Sequence, residues 1–450
     1  MDMTAFKQAV DRAARAAGVD CFELYSRQSG SMELEAYRGA VEKFSSSQTL
    51  GVCLRVLCGG RMGYAGTQVL SEQEAQRLVA DAIDSAKVAE NADIDEILPG
   101  ESRPAADSQA ERDPYPALKE AVLAGEAACL EGDGRVSAVA DAGTAAAWSR
   151  RAIYNSRGLD VSDESHYAYA VMGPVVRQGG DTYNEYEIDY ADSSAALDTA
   201  ATARRAVEST LSFIGSQPVA AGSYAVALSP KVSYDLLETF CGLFSGLAAY
   251  KGLSLLGDKV GTAVAAACVD LIDDPLYPGA ICRRAFDDQG FATQKTAVIA
   301  GGVLATLLHN QKTAALMGAQ NTGNAYKGSY MSPLTVAPTN LYLAPGHCTQ
   351  KELLASREEL LYITNVKGLH AGANPTTGDF SLESKGFLYQ NGRRVRPVSQ
   401  ITVAGNYYRL LLDIAALADD LTFSLPGGAG QFGSPTVLVD RLSVSGESGQ

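Results

Sequence analysis

The sequence predicts an α+β protein: two small N-terminal α/β subdomains, 1–110 and 111–220, and a larger β-rich C-terminal domain, 221–450. Three observations lead there. The chain has 450 residues, more than one hydrophobic core organises. Its first two segments each mix amphipathic helices with strand-like alternation. From residue 221 onward, short apolar runs are separated by Gly, Asn and Asp, the pattern of many strands and tight turns.

The opening stretch "MDMTAFKQAVDRAARAAG" sets Phe6, Val10, Ala13 and Ala17 on one side of a helix. It has no basic start followed by an apolar run, so a signal peptide is not expected. "CFELYSRQSGSMELEAYRGAVEKFSSS" reads as two or three strands. "TLGVCLRVLCGGRMGYAGT" reads as a hairpin that turns at Gly59 and Gly60. "SEQEAQRLVADAIDSAKVAE" is a helix, with Ser71 as N-cap and Glu74 completing a capping box. The polar, Pro-rich "LPGESRPAADSQAERDPYP" marks a boundary near residue 110.

The second segment opens on a helix, "PALKEAVLAGEAACLE", and continues with antiparallel strands in which Tyr167, Tyr169 and Val171 alternate as on a half-buried strand. A long helix, "SSAALDTAATARRAVESTLSFIG", closes it. The third segment begins with the strand "SYAVALSP". A helix follows, "KVSYDLLETFCGLFSGLAAYKG", with Val232, Leu236, Phe240 and Leu243 along one stripe.

Composition narrows the function. Hydrophobic residues make up 46% and charged residues 20%, ordinary for a globular protein. A net charge of −15 argues against nucleic acid as a direct ligand, since phosphate backbones need basic surface. The apolar run "TAVIAGGVLATLL" at 296–308 is too short and Gly-rich to span a bilayer, so no membrane partner is expected. Eight cysteines are scattered without a C-x-x-C, and Cys53 and Cys58 point to opposite faces of a strand. Reduced thiols and a cytoplasmic location are the expectation.

Few motifs carry chemistry. "GAGQFG" at 428–433 matches G-x-G-x-x-G, but a strand follows where the phosphate-binding motif needs a helix, so a hairpin tip is expected. No nucleophile elbow, P-loop or H-E-x-x-H is present, and no two of the four histidines sit at helix-ligand spacing. The acidic doublets Asp273-Asp274 and Asp287-Asp288 lie beside Pro or Gly and read as turn caps. Two polar, Gly-rich stretches remain, "TGNAYKGSYMSP" and "NPTTGDFS". They read either as structural turns or as loops that offer short polar groups to an extended peptide. The candidate substrate-binding residues are His370, Asn374, Thr377, Asp379, Ser381 and Asn324, with no catalytic residue and no metal ligand in this chain.

The series "FDDQGFATQKTAVIAGGVLATLLHN", "TGNAYKG", "NLYLAPG", "GANPTTGDFSLESKGFLYQNGRRVRPVSQITVAGN" and "GSPTVLVDRLSVSG" resembles the TldD/PmbA family, most closely its PmbA (TldE) branch. "GVCLRVLCGGRMGYAGTQVLSEQEAQRLVADAIDSAK" is similar to the family's first domain, so the resemblance covers nearly the whole chain. It implies a cytoplasmic peptidase system in which a TldD-type subunit holds zinc through H-E-x-x-x-H and a distant Cys. A metal-free PmbA-type subunit pairs with it. The resemblance also implies maturation or degradation of unfolded peptides, or a role as a modulator of DNA gyrase.

Carried onto this sequence, the zinc helix falls on "SYDLLETFCGLFSG". Glu238-Thr239 stands where His-Glu is expected, and Leu243 where the second His is expected. "LPGGAGQFGSP", the region of the third ligand, has no Cys. The expectation is a non-zinc subunit that shapes a cleft and binds peptide, with zinc in a TldD-type partner and a homodimer possible when the chain is alone. The alternative is a regulatory interaction protein of the gyrase-modulator type.

Overall fold

The structure is a computed structural model that describes residues 1–450 except 20, 90–95, 101–111, 429 and 447–450. The expected boundary near residue 110 lies outside the described residues. The N-terminal half repeats one plan twice. Helix α1 (Met3–Ala16), strands β1 (Phe22–Tyr37), β2 (Ala40–Cys58) and β3 (Arg61–Thr67), and helix α2 (Glu72–Val88) form the first unit. Helix α3 (Tyr115–Gly132), strands β4 (Val136–Asn155), β5 (Asp160–Gln178), β6 (Asp181–Asn184) and β7 (Glu187–Ala191), and helix α4 (Thr199–Ser212) form the second.

The two units share one antiparallel sheet, ordered β3-β2-β1-β4-β5-β6, with β7 also on β5. β1 joins them, pairing with β2 along one edge and with β4 along the other. The region read as two or three strands is thus one long β1 running into β2. Alternation sorts the faces of β1. Phe22, Leu24, Leu34 and Ala36 point toward the helices, in cores shared with α1–α2 and α3–α4. Tyr25 points the other way, into a cluster with Ile153, Val161 and Phe286 of the C-terminal domain.

Local signals behave as their chemistry requires. Gly59 and Gly60 turn the β2–β3 hairpin at φ of 57° and 77°, where a Cβ would be strained. Ser71 caps α2, its hydroxyl accepting from the Glu74 N–H at 3.1 Å. The expected capping box does not close. The Glu74 carboxylate instead takes hydrogen bonds from Thr67 and Arg77, a charged partner that outcompetes a backbone N–H.

The C-terminal domain is β-rich. Its strands are β8 (Gly222–Leu228), β9 (Leu271–Asp273), β10 (Thr296–Ala300), β11 (Val303–Leu304), β12 (Ala325–Tyr326), β13 (Thr335–Val336) and β14 (Asn340–Leu343). After them come β15 (Glu359–Lys367), β16 (Asp379–Gln390), β17 (Arg393–Asn406), β18 (Ile414–Leu417), β19 (Thr422–Phe423), β20 (Gln431–Ser434) and β21 (Val437–Ser445). One sheet runs β17-β16-β15-β8-β21-β18, and a further β17–β21 pairing closes five of its strands into a barrel. A second sheet runs β11-β10-β9-β14-β20-β19. Helix α5 (Pro230–Phe240) buries Val232, Leu236, Leu237 and Phe240 in the core that both sheets share. The longer helix expected there breaks after Phe240 into a 3₁₀ turn, Cys241–Phe244, and a five-residue helix, Gly246–Tyr250.

The halves meet closely because β2 and β3 carry glycine at the contact. A Cβ on Gly51 would lie 2.2 Å from the Tyr330 ring, and one on Gly66 would lie 2.0 Å from the Met331 sulfur. Below this seat lies a buried ion cluster. Arg151 of β4 bonds Asp288 at 2.5 Å and also grips Asp163, while Tyr25 donates to Asp288 at 3.2 Å. Asp287 does cap its own turn, accepting from Gln289 N and Phe291 N, and it also takes the distant Ala325 N–H. Asp273 accepts from Thr339 N and Asn340 N. The acidic doublets therefore fasten remote segments as well as turns.

Candidate functional site

The short strands β6 and β7 carry the Glu185–Tyr186 link against the barrel, and a cleft opens between them and α5, β15 and β16. The wider part has a volume of ≈ 780 Å³, and a neck of ≈ 340 Å³ continues it. Glu185 spans the cleft wall. Its N–H is held by the Thr210 hydroxyl at 3.1 Å, and its carboxylate pairs with Lys385 and accepts from Asn365 at 3.4 Å. Burial pushes the Lys385 amine down to about 8, and contact with the Glu185 carboxylate works against that fall.

Deeper in, Lys231 at the start of α5 pairs with Asp235 one turn on, at 2.8 Å. Burial disfavours its charge, but Asp235, Tyr186 and Glu187 outweigh it and raise its pKa. Glu187 moves the same way for the opposite reason: burial raises its carboxyl, and Arg205 and Lys231 only partly offset this. Burial and the Asp235 charge together keep the Tyr234 phenol protonated. The cleft thus offers a carboxyl, an ammonium and a phenol on one wall, with Tyr190 bridging the domains through the Phe423 carbonyl at 2.9 Å.

The resemblance places zinc ligands beside this cleft, and the residues present do not fit the metal. Glu238 leaves α5 toward the loop at 425–428, with its Oε1 3.6 Å from where a Gly427 Cβ would stand. The Thr239 hydroxyl is committed to the Asp235 carbonyl at 2.8 Å. Leu243 lies in the hydrophobic core, 1% exposed. One carboxylate is a poor zinc donor set. Among the described residues no three His, Cys, Asp or Glu side chains gather in a group able to hold an ion.

The predicted site residues fall in two places. Asn324 is buried, donating to Asp273 at 2.6 Å and to the Ala337 carbonyl at 3.1 Å, and accepting from Thr322 at 2.7 Å. The other five share one exposed surface. His370 sits in the short helix Leu369–Gly372. Asn374 accepts from Thr376 N and Thr377 N, forming an Asx turn. The Thr377 hydroxyl donates to Asp379 at 2.8 Å, and Ser381 follows on β16. Asn406, which the sequence reading did not single out, closes the loop by donating to Asp379 and to the Thr377 carbonyl, each at 2.8 Å. Those bonds from Asn406 and Thr377 lower the Asp379 pKa. Lys385 is six residues further along β16, roughly 20 Å at strand rise, so this loop is remote from the cleft neck. Sequence reasoning also missed Glu185, Lys231, Tyr234 and Lys385, whose side chains meet only through the packing of separate domains.

The arrangement defines a mixed α/β protein with a polar interdomain cleft beside a helix that carries no metal donor set. Three family models match it in order: the PmbA/TldA metallopeptidase domain 1 over 22–86, the central domain over 110–213 and the C-terminal domain over 221–446. The chain belongs to the PmbA/TldD metallopeptidase family. It is 26% identical to the metalloprotease PmbA homolog of Haemophilus influenzae, over 90% of this chain and 87% of that protein. It is 30% identical to an uncharacterized protein of Methanocaldococcus jannaschii over 59% of this chain, a match that spans only 61% of that relative. Among solved structures, a Thermotoga maritima protein described as a candidate modulator of a DNA gyrase superposes with a TM-score of 0.89 at 27% identity, over 99% of this chain and all of that one. TldE from Thermococcus kodakarensis, at 20% identity and a TM-score of 0.86 over 97% of this chain and all of that one, shares the fold. No helix among the described residues is long and apolar enough to cross a membrane.

Proposed function

We propose that this chain is a PmbA/TldE-type subunit of a cytoplasmic two-subunit peptidase, shaping the cleft and holding unfolded peptide for a zinc-bearing TldD-type partner. One observation carries the reading. The position where the family resemblance expects a metal offers a lone carboxylate, a committed threonine and a buried leucine, yet the adjoining cleft keeps its polar lining. In this reading the hydrolytic water belongs to the partner's metal. Glu187, Lys231 and Tyr234 supply hydrogen bonds that fix an extended backbone, and positioning of that kind is a large part of a rate. The turn built by Asn374, Thr377 and Asp379, with His370 and Ser381 beside it, holds the Asn406 corner of the barrel. Asn324 holds Asp273.

The test is cleavage of an unfolded peptide by each subunit alone and by the mixture. Activity is expected only in the mixture, and Tyr234→Phe with Lys231→Met should lower it without changing the partner's zinc content. Chelator-sensitive cleavage by this chain alone would overturn the assignment. A second reading, a regulatory protein acting on gyrase, is favoured by the description of the Thermotoga relative. It would be preferred if a stable gyrase complex formed while proteolysis by the mixture did not depend on this chain.

A further inference from the structure

A second chamber, of ≈ 380 Å³, lies between the strand face of the N-terminal sheet and the segments 282–284 and 426–428 of the C-terminal domain. Its charge runs against that of the molecule. In a chain of net charge −15, four guanidiniums line this chamber: Arg27 of β1, Arg151 of β4, and Arg283 and Arg284. The carboxylates at hand are Asp163 in the wall and Asp288 beneath it, and both are bound to Arg151. Among the described residues, four positive groups against two negative ones leave two charges uncompensated. Among the described residues, Arg27 reaches the backbone carbonyls of Lys327 and Gly328, at 3.4 and 3.2 Å. Among the same residues, Arg283 reaches those of Ala280 and Pro278, at 3.2 and 2.7 Å. Arg284 lies over the Tyr326 ring, 5.8 Å from its centroid. Arg27 and Arg283 have neutral partners, and Arg284 shares the Asp288 carboxylate with Arg151, so the chamber keeps positive charge that attracts an anion, more strongly in a partly enclosed space than in open water.

The walls favour a chain with small polar contacts. Ser29 and Thr49 pair across β1 and β2 at 2.8 Å, and Ser31 and Ser47 pair at 3.0 Å. The next acidic side chain up the strand, Glu33, is exposed beyond Ser31. The chamber is therefore basic at the end made by the C-terminal domain and hydroxyl-lined toward the open sheet.

We infer that this chamber binds carboxylates of an unfolded peptide, so that the subunit selects acidic peptide segments. This rests on the peptide-holding reading given above and names its substrate class. The carboxylate comes either from Asp and Glu side chains or from the peptide's C-terminus. Guanidiniums recognise both through paired N–H donors.

Trp148, the only tryptophan of the chain, pairs with Gly30 on the helix face of the sheet and lies under Arg112 at 3.8 Å, so binding in the chamber is read by calorimetry. The experiment titrates the full-length chain with four unstructured ten-residue peptides and follows binding by isothermal titration calorimetry. One has glutamates in its C-terminal half and a free C-terminus. The second is its C-terminal amide, the third replaces glutamate by glutamine, and the fourth replaces glutamate by lysine. The acidic peptide should bind at least tenfold more tightly than the lysine peptide, with affinity falling as salt rises. Loss of affinity in the amide assigns the C-terminal carboxylate, and loss in the glutamine peptide assigns the side chains. Arg27→Gln and Arg284→Gln should each weaken the acidic peptide about tenfold, as expected for a lost charge-assisted bond. Because the Arg284 charge also acts on Asp288, its variant is first checked for an unchanged melting temperature, and Arg284→Lys, which keeps the charge, should recover part of the loss. Equal binding of acidic and lysine peptides would overturn the inference while leaving peptide holding intact. Absence of binding by all four peptides would overturn both. Equal or tighter binding of a ten-nucleotide single-stranded DNA at the same site would also overturn it, by showing a site for phosphate.

Discussion

Replacing Asp288 by Ala should separate the two halves of the molecule energetically. Asp288 is 2% exposed and is the hub of the domain junction. It accepts from Arg151 at 2.5 Å, from Tyr25 at 3.2 Å and from the Lys327 N–H at 2.7 Å. Alanine would leave Arg151, itself buried, with the Asp163 carboxylate and the Phe286 carbonyl, and would strand a buried backbone donor. Removing one partner of a buried pair costs about 3–5 kcal/mol, because the remaining charge has been stripped of water. Asp288→Asn keeps one acceptor oxygen and should cost less, about 2 kcal/mol. The assay is equilibrium urea unfolding followed by Trp148 fluorescence and far-ultraviolet circular dichroism together, since two domains need not unfold as one. The pH dependence has a definite sign. Burial works to raise the Asp288 carboxyl, but Arg151 and Arg284, with the Lys327 N–H, hold it below the ordinary 3.8. A depressed carboxyl gives stability that is complete above the unfolded pKa and is lost as pH falls through the folded one. The wild type should therefore lose this contribution only below about pH 4, and Asp288→Asn should flatten that part of the acid-unfolding curve. A cost under about 1 kcal/mol for Asp288→Ala would refute the view that this ion cluster holds the junction.

Three further outcomes are expected. Gly51→Ala should destabilise the junction by about 1–3 kcal/mol, because the Tyr330 ring must move or the strands must part, and a melting temperature equal to wild type would contradict this. Lys385→Met should be destabilising by a few kcal/mol, roughly as for a buried pair with modest exposure, and the exchanged pair Glu185→Lys with Lys385→Glu should recover part of the loss in a double-mutant cycle. Dialysed, tag-free protein should contain far less than one zinc per chain by elemental analysis, and a stoichiometric ion would require donors other than those on α5.

Periodicity in the sequence was enough for the elements that bury one clean face. α1, α2 and α5 are legible because their apolar residues recur at helical spacing, and the β2–β3 hairpin because two glycines sit where positive φ is needed. The shared sheet was not legible. β1 pairs with β4 across more than a hundred residues, and nothing local announces that register. The break after Phe240 was hidden because Leu243 and Phe244 continue the apolar stripe through a 3₁₀ turn. Polar loops are ambiguous for a related reason. "NPTTGDFS" has the composition of a ligand loop, but its side-chain groups turn back on one another and on Asn406. The groups that do face a cleft, Glu185, Lys231 and Lys385, stand alone in sequence among ordinary neighbours and acquire meaning only in the assembled fold.

The repeated plan of strands between two helices gives this cleft its shape. Because both units place their helices on the same side, the opposite face of the sheet is left without a helical cover. A sheet face carrying Tyr25, Ile153 and Val161 must be buried, and the C-terminal domain buries it only around Phe286 and Tyr330. Beyond that contact the same face carries Arg27, Ser29 and Ser31, for which apolar packing offers no gain. The face is therefore dry at one end and open at the other, and the open end becomes the chamber wall. On this argument Ser29→Leu with Ser31→Leu would extend the dry contact and narrow the chamber. The double variant should keep or raise its melting temperature while losing affinity for the acidic peptide. Unchanged affinity would mean that the peptide is held elsewhere, in the Glu187–Lys231 cleft alone.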